Sequence, residues 1–431
     1  MAMRTRRSVG DRIPLGIALA ALACSVWIVL PAPVYWLLPL SVGAPELSPQ
    51  ILLTALIVTI AGLARARRSR LARITVVLGV VACALSALPL LQLGRTASRF
   101  DSEMREALGD GYLTDLSSER RAALRPHPLD VVELIRGITS APVIVVRRQI
   151  SRAELPPLDV LIYRPQRPGP HPIIVQIYGG AWRAGTPGAN ASFARYLAAH
   201  DYLVFAVDYR HAPAWRWPAQ LADVRSAIDW IRRHAAEDGG DVTRMALVGR
   251  SSGAQLATIA AYEPGALPVQ AVVSLYGPVD LREGWLHPPR PDPLDVRQVE
   301  EDLLGGTPTE AGDAYRSASP ISYAGGRQPP TLLVCAGHDH IVLPSFCTRL
   351  ESRLRAGGTT VALLTIPWAE HAFDAVPSGP SGQLSLYYIE RFLGWALREA
   401  GESARSSSPP RGAAPAVPAR RAGARTPRPA A

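Results

Sequence analysis

Residues 244–257, Arg-Met-Ala-Leu-Val-Gly-Arg-Ser-Ser-Gly-Ala-Gln-Leu-Ala, read as a buried strand that runs into Gly249-x-Ser251-x-Gly253 and then directly into a helix. This is a nucleophile elbow. On so sharp a turn the serine is held in strained backbone, and glycines two before and two after it let strand and helix pass without a side-chain clash. The Ser251 hydroxyl would stand at the carboxyl edge of a sheet, with the free N–H groups and positive dipole end of the following helix aimed at the same point. An anion developing on a carbonyl oxygen is stabilised there. The pattern implies acyl transfer through a serine.

A serine hydroxyl is a poor nucleophile until a base takes its proton, and the base needs a carboxylate to orient it. His371, in Pro367-Trp-Ala-Glu-His-Ala-Phe-Asp374, follows one predicted strand, and Asp339, in Cys335-Ala-Gly-His-Asp-His-Ile-Val342, sits just past the strand before it, with Gly337 easing the turn. Of the nine histidines only His371 has this placement. Glu370 is a rival acid by proximity alone, but side chains adjacent in sequence diverge. His338, Asp339 and His340 are likewise too close together to converge on one ion and no second ligand cluster accompanies them, so no metal is expected. Tyr178-Gly-Gly-Ala-Trp-Arg-Ala-Gly185 follows another strand with small residues that let backbone N–H groups approach a ligand. The oxyanion hole is assigned to the N–H groups of Gly180 and Ala181 together with that of Ser252. Trp182, beside them, is the candidate substrate-binding side chain; Trp215, Trp217, Trp285 and Trp368 are expected to be packed.

The elements that must position these groups alternate. Val143–Gln149, Leu158–Tyr163, Ile173–Tyr178, Leu203–Asp208, Met245–Val248, Gln270–Leu275, Leu332–Ala336 and Val361–Ile366 are Val-, Ile- and Leu-rich runs bounded by Pro, Gly or Asp and read as strands. Helices are expected over Ala219–His234, Gly253–Tyr262, Ser345–Arg355 and Gln383–Arg398. Such alternation predicts an α/β fold, a mostly parallel doubly wound sheet with functional groups at the carboxyl ends of its strands. Arg282–Ala324 fits no strand and suits part of a lid. Residues 401–431, rich in Arg, Pro and Ala without periodicity, read as a disordered tail, and 141–400 as the catalytic domain.

Ahead of this domain lie three apolar runs, Ile13–Leu30, Ile51–Ala64 and Ile74–Leu93; the middle one is short for a crossing. Arg4, Arg6, Arg7 and Arg12 precede the first and Arg65, Arg67, Arg68, Arg70 and Arg73 lie between the second and third, whereas the loop between the first two has Glu46 and no basic residue. By the positive-inside rule residues 1–93 form a membrane anchor of three transmembrane helices with an inside N-terminus, so the chain meets the lipid bilayer there and everything after Leu93 is extracytoplasmic. Residues 94–140 read as a helical connector or cap, with helices over Ser98–Leu108 and Leu129–Ile135. No ionisable residue falls inside the runs, so a transport role has no support. The net charge of +10 is carried entirely by arginine and sits in the N-terminal loops and the tail, not on a patterned groove, so nucleic acid is not an expected partner. The four cysteines have no metal-binding spacing. Cys335 and Cys347 can pair if the domain is extracytoplasmic, but Cys335 ends a core strand, where a free buried thiol is the expectation.

The motifs Tyr178-Gly-Gly-Ala-Trp-Arg-Ala-Gly185, Val207-Asp-Tyr-Arg-His-Ala-Pro213, Trp217-Pro-Ala-Gln-Leu-Ala-Asp-Val224 and Gly249-Arg-Ser-Ser-Gly-Ala254 resemble the esterase/lipase group of the α/β-hydrolases, which includes the hormone-sensitive-lipase-like enzymes and the bacterial acetyl and feruloyl esterases. The likeness runs from about Arg148 to Leu397. It implies an α/β-hydrolase fold, the chain order Ser, acid, His met here by Ser251, Asp339 and His371, and hydrolysis of small or medium acyl esters through an acyl-enzyme without a cofactor. It also implies that Asp208, Tyr209 and Arg210 are scaffold. Tyr178 replaces the usual His before the glycines, Ala181 replaces the third glycine, and Arg250 stands where the lipase-like branch often has an acid, which brings the chain nearer the acetyl and feruloyl esterase branch. An amidase of the formamidase kind, a cell-envelope acyltransferase and an inactive binding protein share these motifs and stay open, as does the oligomeric state.

Overall fold

In the computed structural model residues 2–399 are described; the expected tail at 401–431 lies outside them. Eight strands form one sheet: β1 (Ile144–Arg152), β2 (Leu155–Arg164), β3 (His171–Ile177), β4 (Leu203–Val207), β5 (Gly240–Arg250), β6 (Ala271–Leu275), β7 (Thr331–Ala336) and β8 (Val361–Ile366). Their order is β1-β2-β4-β3-β5-β6-β7-β8. The β1–β2 and β2–β4 pairs are antiparallel and all later pairs are parallel. All eight predicted strands are present, most within three residues of their expected ends; β5 is longer than the expected Met245–Val248 and begins at Gly240.

Alternate side chains of the central strands enter two different cores, as pleating requires. Ile173, Val175 and Ile177 of β3 and Leu203, Phe205 and Val207 of β4 join helices Ala219–His234 and Ser252–Tyr262 on one face. Ile174, Val204 and Ala206 meet Leu197 of helix Ala191–Ala199 and Tyr388 and Phe392 of helix Pro380–Ala396 on the other. Both faces are therefore covered, which explains why β3, β4 and β6 are buried at every position and almost wholly apolar instead of alternating. The segment 282–324 carries three short helices, Leu281–Leu286, Val296–Leu304 and Gly312–Ser317, over the carboxyl edge of the sheet.

At the N-terminus two helices are long and apolar enough to cross a membrane, in the windows Asp11–Ile28 and Arg70–Leu108; a pair bent by 75°, Tyr35–Glu46 with Ser48–Leu63, passes the same test when taken together. The helices meet through small residues: Ala21, Ala55 and Ala82 form a cluster of their own, and a Cβ on Gly79 would lie 2.1 Å from Thr59 Oγ1. Asp11 and Arg65 pair at 3.9 Å at the end of this bundle remote from the sheet. The last helix runs unbroken from Arg70 to Leu108, so the stretch expected as a separate helix from Ser98 continues the apolar one. It buries Phe100 and Met104 in the second core and accepts the Tyr388 hydroxyl at Ala97 O (2.7 Å) and Asp101 Oδ1 (2.9 Å).

One expectation is corrected. Cys335 is not a free thiol but is bonded to Cys347 across a Cα–Cα distance of 6.5 Å. Helix Ser345–Ala356 returns over the end of β7 and brings the two together, a closeness that the strand position of Cys335 does not reveal. Cys24 and Cys83 are free.

Candidate active site

Ser251 sits between β5 and helix Ser252–Tyr262 with φ 51° and ψ −124°, a conformation rare for a residue with a side chain. The turn closes only because its flanks are glycine. A Cβ at Gly249 would lie 2.3 Å from Gly253 O, and one at Gly253 would lie 2.3 Å from Tyr178 O. Strand packing thus enforces the strain and leaves the hydroxyl at the carboxyl edge of the sheet.

The structure brings the three distant side chains into one chain of contacts. Ser251 Oγ lies 2.9 Å from His371 Nε2, and His371 Nδ1 lies 2.9 Å from Asp339 Oδ2. A carboxylate can only accept, so Nδ1 carries the shared proton and Nε2 is left facing the hydroxyl as an acceptor. The other oxygen of Asp339 accepts the N–H groups of Ile341 and Val342, both at 2.8 Å, which fixes the carboxylate in place. Burial by itself would lower the His371 pKa, but the charge of Asp339 and its hydrogen bond outweigh it and hold the imidazole above its ordinary value.

Glu370 is occupied elsewhere. Its Oε1 accepts the N–H groups of His340 (2.8 Å) and His371 (2.9 Å), and its Oε2 meets His340 Nδ1 at 2.7 Å. Among the described residues no group of three His, Cys, Asp or Glu is arranged to hold a metal ion.

Gly180, Ala181 and Trp182 all take positive φ, at 148°, 52° and 58°. Among the described residues no backbone acceptor is paired with the N–H of Gly180 or Ala181, and both residues line the same cavity as Ser251. Ser252 opens the helix after the elbow, where first-turn N–H groups have no intrahelical partner. Tyr178, in place of the usual histidine, stacks on Tyr209 at 4.4 Å, donates its hydroxyl to Asp208 Oδ1 at 2.6 Å and lies 2.9 Å from His211 Nε2. Arg210 makes a two-pronged pair with Asp223, at 2.8 Å through both Nε and Nη2. Asp208 and Tyr209 thus brace the loop that begins at Tyr178, while Arg210 ties the same stretch to helix Ala219–His234. Arg250 is also structural in its contacts: its Nε meets Asp374 Oδ2 at 2.5 Å, and its guanidinium covers the Phe193 ring at 4.3 Å. Asp374 in turn accepts the Tyr276 hydroxyl, and the Tyr276 ring stands edge-on to His371 at 4.7 Å.

Two cavities open from Ser251. A cleft of about 550 Å³ is lined by Gly180, Ala181, Arg183, His371 and Ala372, and also by Tyr35 and Leu38 of the N-terminal segment. A pocket of about 40 Å³ lies between Trp182, Ser252 and the residues Leu294, Val299 and Phe346. Trp182 donates Nε1–H to Gln255 Oε1 at 3.0 Å, so its ring is locked as a wall of that pocket. Trp215, Trp217, Trp285 and Trp368 line neither cavity. Glu300 borders the small pocket, buried, with its Oε2 unpartnered among the described residues. Nothing in the sequence pattern marked Glu300, Tyr35 or Leu38; only the packing of 282–304 and of 35–38 over the sheet edge brings them in.

The BD-FAE family model matches residues 158–354. LipM of Mycobacterium tuberculosis, a probable carboxylic ester hydrolase, is 27% identical over 350 residues, which cover 74% of this chain and 78% of LipM. Esterase LipC of the same organism is 30% identical over 280 residues, 61% of this chain and 68% of LipC. Among solved structures, carboxyl esterase 2 of the mycorrhizal fungus Tuber melanosporum superposes with a TM-score of 0.53 at 21% identity, over 60% of this chain and 89% of the other. An arylesterase does so with a TM-score of 0.52 at 21% identity, over 66% and 100%.

Proposed function

The chain belongs to the α/β-hydrolase esterase family that carries the BD-FAE domain and is a carboxylic ester hydrolase, and on that premise we propose that it cleaves small or medium acyl esters through an acyl-enzyme on Ser251. His371 Nε2 takes the hydroxyl proton as Ser251 Oγ bonds to the ester carbonyl carbon. The carbonyl oxygen becomes an anion held by the N–H groups of Gly180, Ala181 and Ser252. As the carbon–oxygen bond to the alcohol breaks, His371 gives the proton to the departing oxygen. Water then attacks the acyl carbon as His371 takes its proton; the bond to Ser251 Oγ breaks, His371 returns the proton to Oγ, and the carboxylic acid leaves. Asp339 fixes the tautomer and stabilises the imidazolium without itself taking the proton. The observation that carries this reading is the unbroken hydrogen-bond chain from Ser251 through His371 to Asp339, beside two N–H groups with no acceptor among the described residues.

The domain is held at a membrane by residues 1–93 and faces the extracytoplasmic side. Three features support this: apolar helices with their arginine-rich ends away from the sheet, the sheet domain at the opposite end, and a disulfide of the kind that persists in oxidising compartments. The test of the catalytic reading is Ser251→Ala in the full chain. It is expected to lower p-nitrophenyl ester hydrolysis about 10⁵-fold or more and to abolish labelling by a fluorophosphonate. Retained turnover would overturn it.

A further inference from the structure

We propose that residues 29–47 form the bilayer-side wall of the active-site cleft, and that the substrate is a short-chain acyl ester of a membrane-resident alcohol drawn from the lipid surface. This rests on the Ser251–His371 reading and adds the substrate class to it.

Tyr35 and Leu38 lie more than two hundred residues before Ser251 in sequence, yet they line the same cleft. Leu38 packs on the core that also holds Ala181. The stretch is pinned to the catalytic domain just beyond: Glu46 Oε2 accepts the N–H of Ser381 at 2.9 Å, at the start of helix Pro380–Ala396, and Gln50 donates to Leu134 O at 2.6 Å. The apolar helix Ser48–Leu63 begins immediately after Glu46 and Leu47, so the mouth of the cleft sits where the membrane helices leave the hydrocarbon. The outer surface of the same stretch suits that level: Tyr35 is 64% and Trp36 74% exposed, beside exposed Val34 and Leu40. Tyr and Trp collect at membrane–water interfaces because their rings are amphipathic, whereas an apolar patch of this kind on a water-bathed rim is disfavoured.

The chemistry then sorts the two halves of the substrate. His371 must protonate the departing alkoxide, and His371 lines the cleft, so the alcohol part occupies the cleft and extends past Tyr35 toward the lipid. The small pocket behind Trp182, walled by Leu294, Val299 and Phe346, is left for the acyl chain and has room for a short one.

The test uses the full chain reconstituted in phosphatidylcholine vesicles with two acetyl esters, water-soluble p-nitrophenyl acetate and bilayer-resident hexadecyl acetate. The wild type is expected to hydrolyse both. With total hexadecyl acetate fixed, adding phosphatidylcholine should lower its rate in proportion to its mole fraction in the bilayer. The double substitution Tyr35→Ala, Leu38→Ala should lower hexadecyl acetate turnover about tenfold more than p-nitrophenyl acetate turnover. Hydrolysis of the soluble ester alone, a rate indifferent to surface dilution, or an equal loss on both esters would overturn this proposal and leave the esterase reading standing. Failure on both esters by the wild type would instead remove the Ser251 reading. Surface dilution is measured on the wild type, so a variant that misfolds does not leave the question open.

Discussion

Asp339 holds His371 with one carboxylate oxygen, at 2.9 Å from Nδ1, while two backbone N–H groups hold its other oxygen. The imidazole is therefore fixed in both position and tautomer before any substrate arrives. Asp339→Asn keeps the shape but turns an acceptor into a donor or an unfixed amide, and kcat on p-nitrophenyl esters should fall about 10³- to 10⁴-fold. The pH profile gives a second readout. In the proposed mechanism the base is neutral His371, whose pKa burial would lower but the Asp339 charge holds above the ordinary 6.5, so kcat/KM should rise with pH along an acid limb centred above 6.5. In the Asn variant the charge is gone and burial remains, so the limb should move down. A limb that stays in place would show that Asp339 is not the orienting acid.

Gly253 passes so close to β3 that a methyl group there meets the carbonyl oxygens of Tyr178 and Ile177, at 2.3 and 2.4 Å. Backbone cannot step aside as a flexible side chain would. Gly253→Ala should destabilise the domain by about 2 kcal/mol or more and displace Ser251 from His371, so thermal unfolding in detergent and ester turnover should fall together. A variant with wild-type melting temperature and rate would contradict the packing at the elbow.

Burial, reinforced by the charges of Asp280 and Asp292, holds the Glu300 carboxyl well above the carboxylate range. A raised folded-state pKa gives a contribution to stability that is complete below the unfolded value, near 4.5, and is lost as pH rises toward the folded value. Glu300→Gln cannot titrate. Relative to wild type, its melting temperature should therefore be higher at pH 8 than at pH 4.5. An unchanged difference between the two pH values would mean that Glu300 is ionised as readily in the folded chain as in the unfolded one.

The Cys335–Cys347 bond closes a loop of sequence separation 12, a constraint on the unfolded chain of about 3 kcal/mol. Thiol titration of the denatured, unreduced protein should find two free groups, Cys24 and Cys83, and four after reduction. Cys335→Ser with Cys347→Ser should lower the melting temperature measurably. Four free thiols without reductant would rule the bond out.

The elbow, the eight strands and the places of Ser251, Asp339 and His371 at strand ends were legible in the sequence, because each is set by short-range pattern. Glycine spacing decides whether a strand can turn into a helix around a serine, and runs such as Ile173–Ile177 can be stable only with both faces covered. That Asp339 and not Glu370 would meet the His371 ring was also legible, since adjacent side chains diverge. What the chain does not encode locally is which remote segments close over the sheet edge. The wall made by Tyr35 and Leu38, the buried Glu300 and the docking of Arg70–Leu108 into the second core arise from contacts between residues far apart in sequence, and the disulfide from the return of helix Ser345–Ala356 over the end of β7. Their side chains are chemically ordinary, and no spacing rule distinguishes them. Packing against a particular surface gives them their place, and that surface exists only once the sheet and its helices have come together.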